Sequence, residues 1–170
     1  MKSNLRKNIY LALMVSLSLA ISLLESMIPL PFAIPGAKLG LSNIVILTTI
    51  YFYDFKSSLA VGILKSFLLM LVTGSVSSFL YSLIGAILST IGMYISIKYL
   101  NKFLSLVGVS EIGAFLHNLG QIIVASFMLN NIKIFYYLPI LVIIGIFTGF
   151  FVGISSNMII SRLKKINLEL

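Results

Sequence analysis

The chain has 170 residues, of which 59% are hydrophobic and only 9% are charged, and its mean hydropathy is +1.13. A soluble domain is roughly 45–50% apolar and 25% charged, so this composition excludes a soluble globular protein and indicates an integral membrane protein. The net charge of +8 does not point to nucleic acid as a partner, because the basic residues lie at the ends of apolar segments. Cysteine is absent, which excludes disulfides and thiolate metal sites.

Six apolar segments follow one another and predict a single all-α membrane domain over residues 1–170. A helix needs ~20 residues to cross a ~30 Å hydrocarbon layer. The segments are apolar without alternation, which is not the pattern of β-barrel strands. We place the spans at about 9–28, 40–54, 57–73, 76–97, 109–129 and 134–161. The second and third spans are separated only by residues 53–56, so this is the weakest boundary.

The basic residues predict the orientation of this six-helix bundle. Nine of them fall on one side, and this excess places both termini in the cytoplasm. They are Lys2, Arg6, Lys7, Lys56, Lys98, Lys102, Arg162, Lys164 and Lys165, against Lys38 and Lys133 on the other side. The basic N-terminus resembles a signal peptide, but no small-residue cleavage site follows it, so we expect a retained first helix.

Small residues at four-residue spacing predict close contacts between helices, because small side chains let backbones approach within lipid. Such series are Ala12, Ser16 and Ala20 in the first span, Ser78, Ser82, Ala86 and Ser89 in the fourth, and Gly145, Gly149 and Gly153 in the last. We expect packing within the bundle for the fourth and last spans. For the first span, a docking surface for another membrane subunit is an alternative of nearly the same weight.

Polar side chains within or beside the spans are the candidate functional residues. Each costs on the order of 2–3 kcal/mol at the bilayer centre unless it faces the bundle interior, so a shared polar cavity would account for them together. The candidates for binding a substrate are Glu25, Lys38, Asn43, Lys65, His117, Asn118 and Gln121. His117 and Gln121 lie one helical turn apart and share a face. The alternative for each is a hydrogen bond between helices, or snorkelling in the case of Lys65.

The sequence contains no recognisable catalytic constellation. One histidine, no cysteine and scattered carboxylates form neither a metal cluster nor a nucleophile triad, and no phosphate-binding loop is present. Enzymes that hold diphosphate through magnesium need clustered carboxylates, whereas Asp54 is the only aspartate. We therefore expect a protein that is not an enzyme and has no metal or cofactor.

Three strings resemble the bacterial Gx transporter family, whose members often carry the label heptaprenyl diphosphate synthase component I. They are Pro-Gly-Ala-Lys-Leu-Gly-Leu-Ser-Asn at 35–43, Gly-Ala-Ile-Leu-Ser-Thr-Ile-Gly-Met-Tyr at 85–94 and Gly-Ala-Phe-Leu-His-Asn-Leu-Gly-Gln at 113–121. That family is similar to the S components of energy-coupling factor (ECF) transporters. These six-helix proteins of the bacterial cytoplasmic membrane bind a vitamin-like ligand under the loop between helices 1 and 2.

The resemblance implies partners as well as a fold. S components dock through small residues of helix 1 onto a transmembrane coupling subunit that is driven by a pair of ATPases, and Ala12, Ser16 and Ala20 match that motif with serine in the middle. The label implies an alternative, a non-catalytic accessory subunit linked to prenyl diphosphate or quinone synthesis or to a membrane redox complex. A prenyl diphosphate synthase itself is expected to be soluble and rich in aspartate, which this chain is not.

The charged candidates predict the class of ligand. Lys38 and Lys65 offer cationic donors, and twelve Phe and eight Tyr offer apolar surface, so we expect an anionic, partly apolar or aromatic small molecule. Glu25 and Glu111 could instead neutralise the lysines. We expect the proline-rich segment 29–36 to act as a stiff flap, and a second helix that begins near residues 39–41 to direct free amides at the ligand. A plain extracellular turn is the alternative.

Overall fold

A computed structural model of the chain describes residues 2–28 and 38–165. These residues contain seven helical segments and no strand, so the predicted all-helical fold is confirmed. The segments are α1 (Lys2–Ser26), α2 (Asn43–Phe52), α3 (Phe55–Thr73), α4 (Val76–Tyr99), α5 (Leu106–Met128), a short 3-10 helix (Ile132–Tyr137) and α6 (Leu138–Lys165). The predicted flap at 29–36 lies outside the described residues.

Five helical stretches are long and apolar enough to cross a membrane, with the 3-10 helix and α6 counted as one, and α2 is the exception. With ten residues, α2 is only about 15 Å long, which is half of a hydrocarbon layer. The span predicted at 40–54 is therefore too long, since residues 38–42 form a non-helical segment and a turn. Side chains from neighbouring helices hold this segment, so it does not need helical hydrogen bonds of its own.

The short helix α2 lies at the centre of the bundle. All of its residues from Asn43 to Ile50 are buried, and it packs against each of the five long helices. A helix that is apolar on every side is expected in such a position. Its two threonines donate their hydroxyls to carbonyls of the preceding turn, Thr48 to Ile44 and Thr49 to Val45, at 2.7 Å each. Because α2 satisfies its own polar groups, the bundle can close around it.

Glycines set the close approach of α5 to both of its neighbours. A Cβ atom on Gly120 would lie 3.1 Å from the backbone of Gly85 in α4. On α6, a Cβ atom on Gly149 would lie 3.0 Å from the Cα atom of Glu111, and one on Gly153 would lie 2.6 Å from the Cα atom of Val107. The small-residue series of the last span thus packs within the bundle, as the spacing predicts.

The small-residue series of α1 has a different environment. Ala12, Ser16 and Ala20 are all exposed on the outer surface of the bundle, next to exposed leucines such as Leu13. The Ser16 hydroxyl donates to the carbonyl of Ala12 at 3.0 Å, so the face is apolar despite its serine. In a membrane this face meets either lipid or another protein.

The turn between α2 and α3 is fixed by Asp54. Its carboxylate caps α3 by accepting the Ser57 amide at 2.7 Å and also accepts the Lys7 ammonium from α1 at 2.8 Å. The Lys7 hydrogen bond, followed by that of Ser57, lowers the pKa of Asp54 to about 2. The Asp54 carboxylate therefore stays ionised at neutral pH, and its contact with Lys7 holds the start of α1 beside the turn.

The contact between Gly120 and Gly85 generates a prediction about stability. Gly120→Val would push α5 away from the α4 backbone, and we expect it to lower the free energy of unfolding in detergent by about 1–3 kcal/mol, as overpacking does. Gly108→Ala is the control on the same helix, because the three atoms nearest its new Cβ atom all belong to the Leu104 side chain and none to a helix backbone. Equal losses in the two variants would contradict the close contact.

Candidate functional site

The polar candidates come together around residues 38–42, the segment that precedes α2. Glu25 comes from α1, Lys65 from α3, and His117 and Gln121 from α5, and their exposed fractions are 4%, 1%, 1% and 0%. Lys38, on the segment itself, is 8% exposed. We call these five residues the buried polar cluster. Lys65 and His117 lie near the middle of long helices, so the cluster reaches the centre of the bundle.

Gln121 pairs with both backbone groups of Lys38. Its side-chain oxygen accepts the Lys38 N–H at 2.9 Å, and its amide nitrogen donates to the Lys38 carbonyl at 2.9 Å. Backbone groups at membrane depth need partners inside the protein, because no water is available in the hydrocarbon layer. Gln121 thus satisfies both backbone hydrogen-bonding groups of Lys38.

Glu25 holds the same segment from the opposite side. Its Oε1 atom accepts the N–H of Gly40 at 2.6 Å. Gly40 has a φ of +81°, and a Cβ atom on it would lie 3.0 Å from the His117 ring, so both the backbone conformation and the space require glycine. Residues 38–40 are therefore fastened between α1 and α5 by one carboxylate and one amide.

The two lysines of the cluster donate to neutral oxygens. Lys65 donates to the hydroxyls of Ser42 and Ser82 at 3.0 Å each, and Lys38 donates to the Ser26 hydroxyl at 2.9 Å and the Ser22 carbonyl at 3.4 Å. Neither lysine forms an ion pair within the described residues. Each ammonium has three N–H donors, so one donor on each lysine has no partner within residues 2–28 and 38–165.

The cluster also contains buried polar atoms that lack a partner among residues 2–28 and 38–165. They include Oε2 of Glu25 and both ring nitrogens of His117. The His117 ring fits a slot in α4 that glycine makes, since a Cβ atom on Gly85 would lie 2.7 Å from its Nδ1 atom. Buried polar groups almost always have partners, so these atoms are the ones that a ligand would be expected to meet.

The remaining candidates lie at the edge of the cluster or outside it. Asn43 accepts a hydrogen bond from Ser89 of α4 at 3.2 Å. Asn118 donates to the carbonyl of Leu141 in α6 at 2.7 Å and so joins two helices, without a hydrogen bond to the cluster. Glu111 packs against Gly149 near the start of α5, where it does not neutralise either lysine of the cluster by an ion pair.

The start of α2 differs from the prediction in a way that matters for binding. The helix begins at Asn43, and the amides of Asn43, Ile44 and Val45 donate to carbonyls of the preceding turn at 2.9–3.1 Å. These three amides are therefore not free for a ligand, and the helix begins two residues later than the predicted range of 39–41. The Ser42 hydroxyl does not cap the helix and accepts Lys65 instead.

Sequence reasoning missed the serines that support the cluster. Ser22, Ser26, Ser42 and Ser82 accept hydrogen bonds from the two lysines with a hydroxyl or a carbonyl. The sequence pointed to two of these serines, since Ser82 belongs to a small-residue series and Ser42 to the string at 35–43. No pattern in the sequence marked Ser22 or Ser26. No group of three His, Cys, Asp or Glu residues that could hold a metal ion occurs in the described ranges.

Comparison with known proteins places the chain in a family. No curated protein and no solved structure matches the chain, but a family model does. A family model described as heptaprenyl diphosphate synthase component I matches residues 14–159, a range that includes the whole buried polar cluster. The chain therefore belongs to the heptaprenyl diphosphate synthase component I family.

Proposed function

We propose that the chain is a membrane-embedded binding subunit that takes up a small anionic molecule and works with a separate ATP-driven coupling module. The observation that carries this proposal is the charge of the buried polar cluster. Two ammonium groups and one carboxylate lie there without an ion pair among the described residues. An uncompensated positive charge in a low-dielectric interior is costly, and a bound anion would reduce that cost.

The arrangement of donors supports a directional site for such an anion. In the described part of the chain, Lys38 and Lys65 each have one N–H without a partner, and a neutral His117 has one donor and one acceptor. Charge-assisted hydrogen bonds of this type hold carboxylates and phosphates. The acceptor Oε2 of Glu25 would pair with a donor on the same molecule. The ligand class is therefore an anion that also carries an N–H or O–H group.

A purely structural role explains the lysines less well. Helices in membranes are joined adequately by serine, threonine and asparagine, as Asn118 shows with its bond to α6. A buried lysine performs the same task at a much higher desolvation cost. Lys65, which is 1% exposed, is therefore better explained by a charge that it meets during function.

The outer face of α1 supports the second half of the proposal. Ala12, Ser16 and Ala20 form an exposed strip of small residues, and the resemblance to S components assigns this strip to docking on a transmembrane coupling subunit with its ATPase pair. Within this proposal the chain is not an enzyme. It lies in the bacterial cytoplasmic membrane with both termini in the cytoplasm.

A second candidate function follows from the family description. The word component implies a partner, and a non-catalytic accessory subunit of prenyl diphosphate synthesis would fit it. In that case the partner would be a prenyl-transferring enzyme, and the cluster would only join helices. The identity of the partner and the effect of charge on binding separate the two candidates.

The charge argument predicts a loss of affinity in Lys38→Met. Removal of one charge-assisted hydrogen bond should cost roughly 1.5–3 kcal/mol, which weakens binding about tenfold to a hundredfold. Binding would be measured by calorimetry with an anionic compound selected in a thermal-shift screen of carboxylates and phosphates. Lys133→Met, at an exposed position of the 3-10 helix, is the matched control. Equal affinity in both variants would remove Lys38 from the site.

The docking argument predicts a change of partners in Ser16→Phe. A phenyl ring on the exposed strip should lower recovery of the coupling subunit and ATPases by about tenfold or more, because it fills the centre of the interface. The chain would be extracted from its own membrane in mild detergent, and co-purifying proteins would be identified by mass spectrometry. Ile143→Phe, on the exposed face of α6, is the control. Recovery of a prenyltransferase instead would favour the second candidate.

A further inference from the structure

A cavity that shares no residue with the buried polar cluster lies at the end of the bundle that carries Lys7, Asp54 and Lys164. It has a volume of about 50 Å³. Its lining includes Tyr10 and Met14 of α1, Thr48 and Thr49 of α2, Tyr53 just after α2, and Leu163 of α6. Among the described residues, α1 and α6 both pack against α2 but not against each other. The cavity occupies the gap that this leaves.

The wall of the cavity is apolar for a reason visible in α2. Thr48 and Thr49 turn their hydroxyls to the carbonyls of Ile44 and Val45, so they present methyl groups to the gap. The Tyr53 hydroxyl is buried without a hydrogen-bond partner among residues 2–28 and 38–165, but the cavity wall itself exposes no polar surface. An occupant would therefore be apolar where it meets this wall.

The rim of the cavity is basic. The Lys7 ammonium lies 5.8 Å from the centre of the Tyr53 ring, and the Lys164 ammonium lies 4.6 Å from the centre of the Tyr51 ring and donates to its hydroxyl. Arg162, Lys164 and Lys165 belong to the last turn of α6, which also supplies Leu163 to the wall. Asp54 is the acidic residue here, and it is already paired with Lys7. The rim therefore carries a net positive charge.

We propose that this cavity is a binding site for an anionic phospholipid. The end of one acyl chain lies in the apolar gap between α1 and α6, and the phosphate lies at the rim beside Lys7 and Lys164. Tyrosine and lysine side chains of this kind occupy the level of the headgroups in a bilayer. Basic residues at that level attract anionic lipids, whereas a zwitterionic lipid gains nothing from the excess charge.

The site is independent of the proposed transport function and is tested with defined lipids. The purified full chain in detergent would receive phosphatidylglycerol or phosphatidylcholine with identical chains, and retained lipid would be counted by native mass spectrometry. We expect preferential retention of phosphatidylglycerol. In Lys164→Gln this preference should fall about fivefold, the effect of one basic residue near the surface. Lys102→Gln, exposed in the turn between α4 and α5, should leave it unchanged.

A second pair of variants tests the acyl chain. Leu163→Phe fills the gap and should reduce retention of both lipids, whereas Met158→Phe on the exposed face of α6 should not. Equal retention of the two lipids by the unmodified chain, or equal preference in Lys164→Gln and Lys102→Gln, would overturn the headgroup contact. Normal retention in Leu163→Phe would overturn the chain site. If that variant fails to fold, the comparison of lipids and the Lys164→Gln result still decide the proposal.

Discussion

The bundle depends on a stretch of non-helical backbone held inside a membrane protein. Residues 38–42 precede α2 within the bundle, where Lys38, Gly40 and Ser42 are buried, and buried N–H and C=O groups need hydrogen-bond partners. Glu25 and Gln121 supply the partners for Gly40 and Lys38, respectively. Because these bonds come from α1 and α5, they also fix where those helices stand relative to α2. A short central helix is stable only when such partners exist.

This arrangement creates the polar interior and its charge. Lys65 donates to the Ser42 hydroxyl in the turn, and the His117 ring packs against Gly40. The side chains that contact residues 38–42 are therefore the same side chains that make up the buried polar cluster. Helices that begin within a membrane are common at the binding sites of transporters, where the positive end of the helix dipole favours an anion. Here the amides of Asn43, Ile44 and Val45 are bonded within the turn and are not available as donors to a ligand.

The sequence predicts the long helices well because their signal is simple. Apolar length and small-residue spacing place α4, α5 and α6 and the contact of Gly149 with α5. The same signal fails for α2, since an apolar run does not distinguish a buried half-helix from a span. The members of the cluster follow from the cost of polar groups in lipid, but their partners do not. Pairing of Gln121 with a backbone, and the serines around Lys65, depend on three-dimensional register that one sequence does not contain.

The central claim is that the buried polar cluster holds an anion through its excess positive charge. The most direct test is mass spectrometry of the small molecules released from the purified full-length chain and from Lys65→Met, a change that keeps the volume but removes one buried charge. The account predicts an anionic compound that is released by the unmodified chain and is depleted in the variant, while the melting temperature of the variant is maintained. A neutral or cationic compound retained equally by both proteins, or a variant that loses its fold, would contradict it.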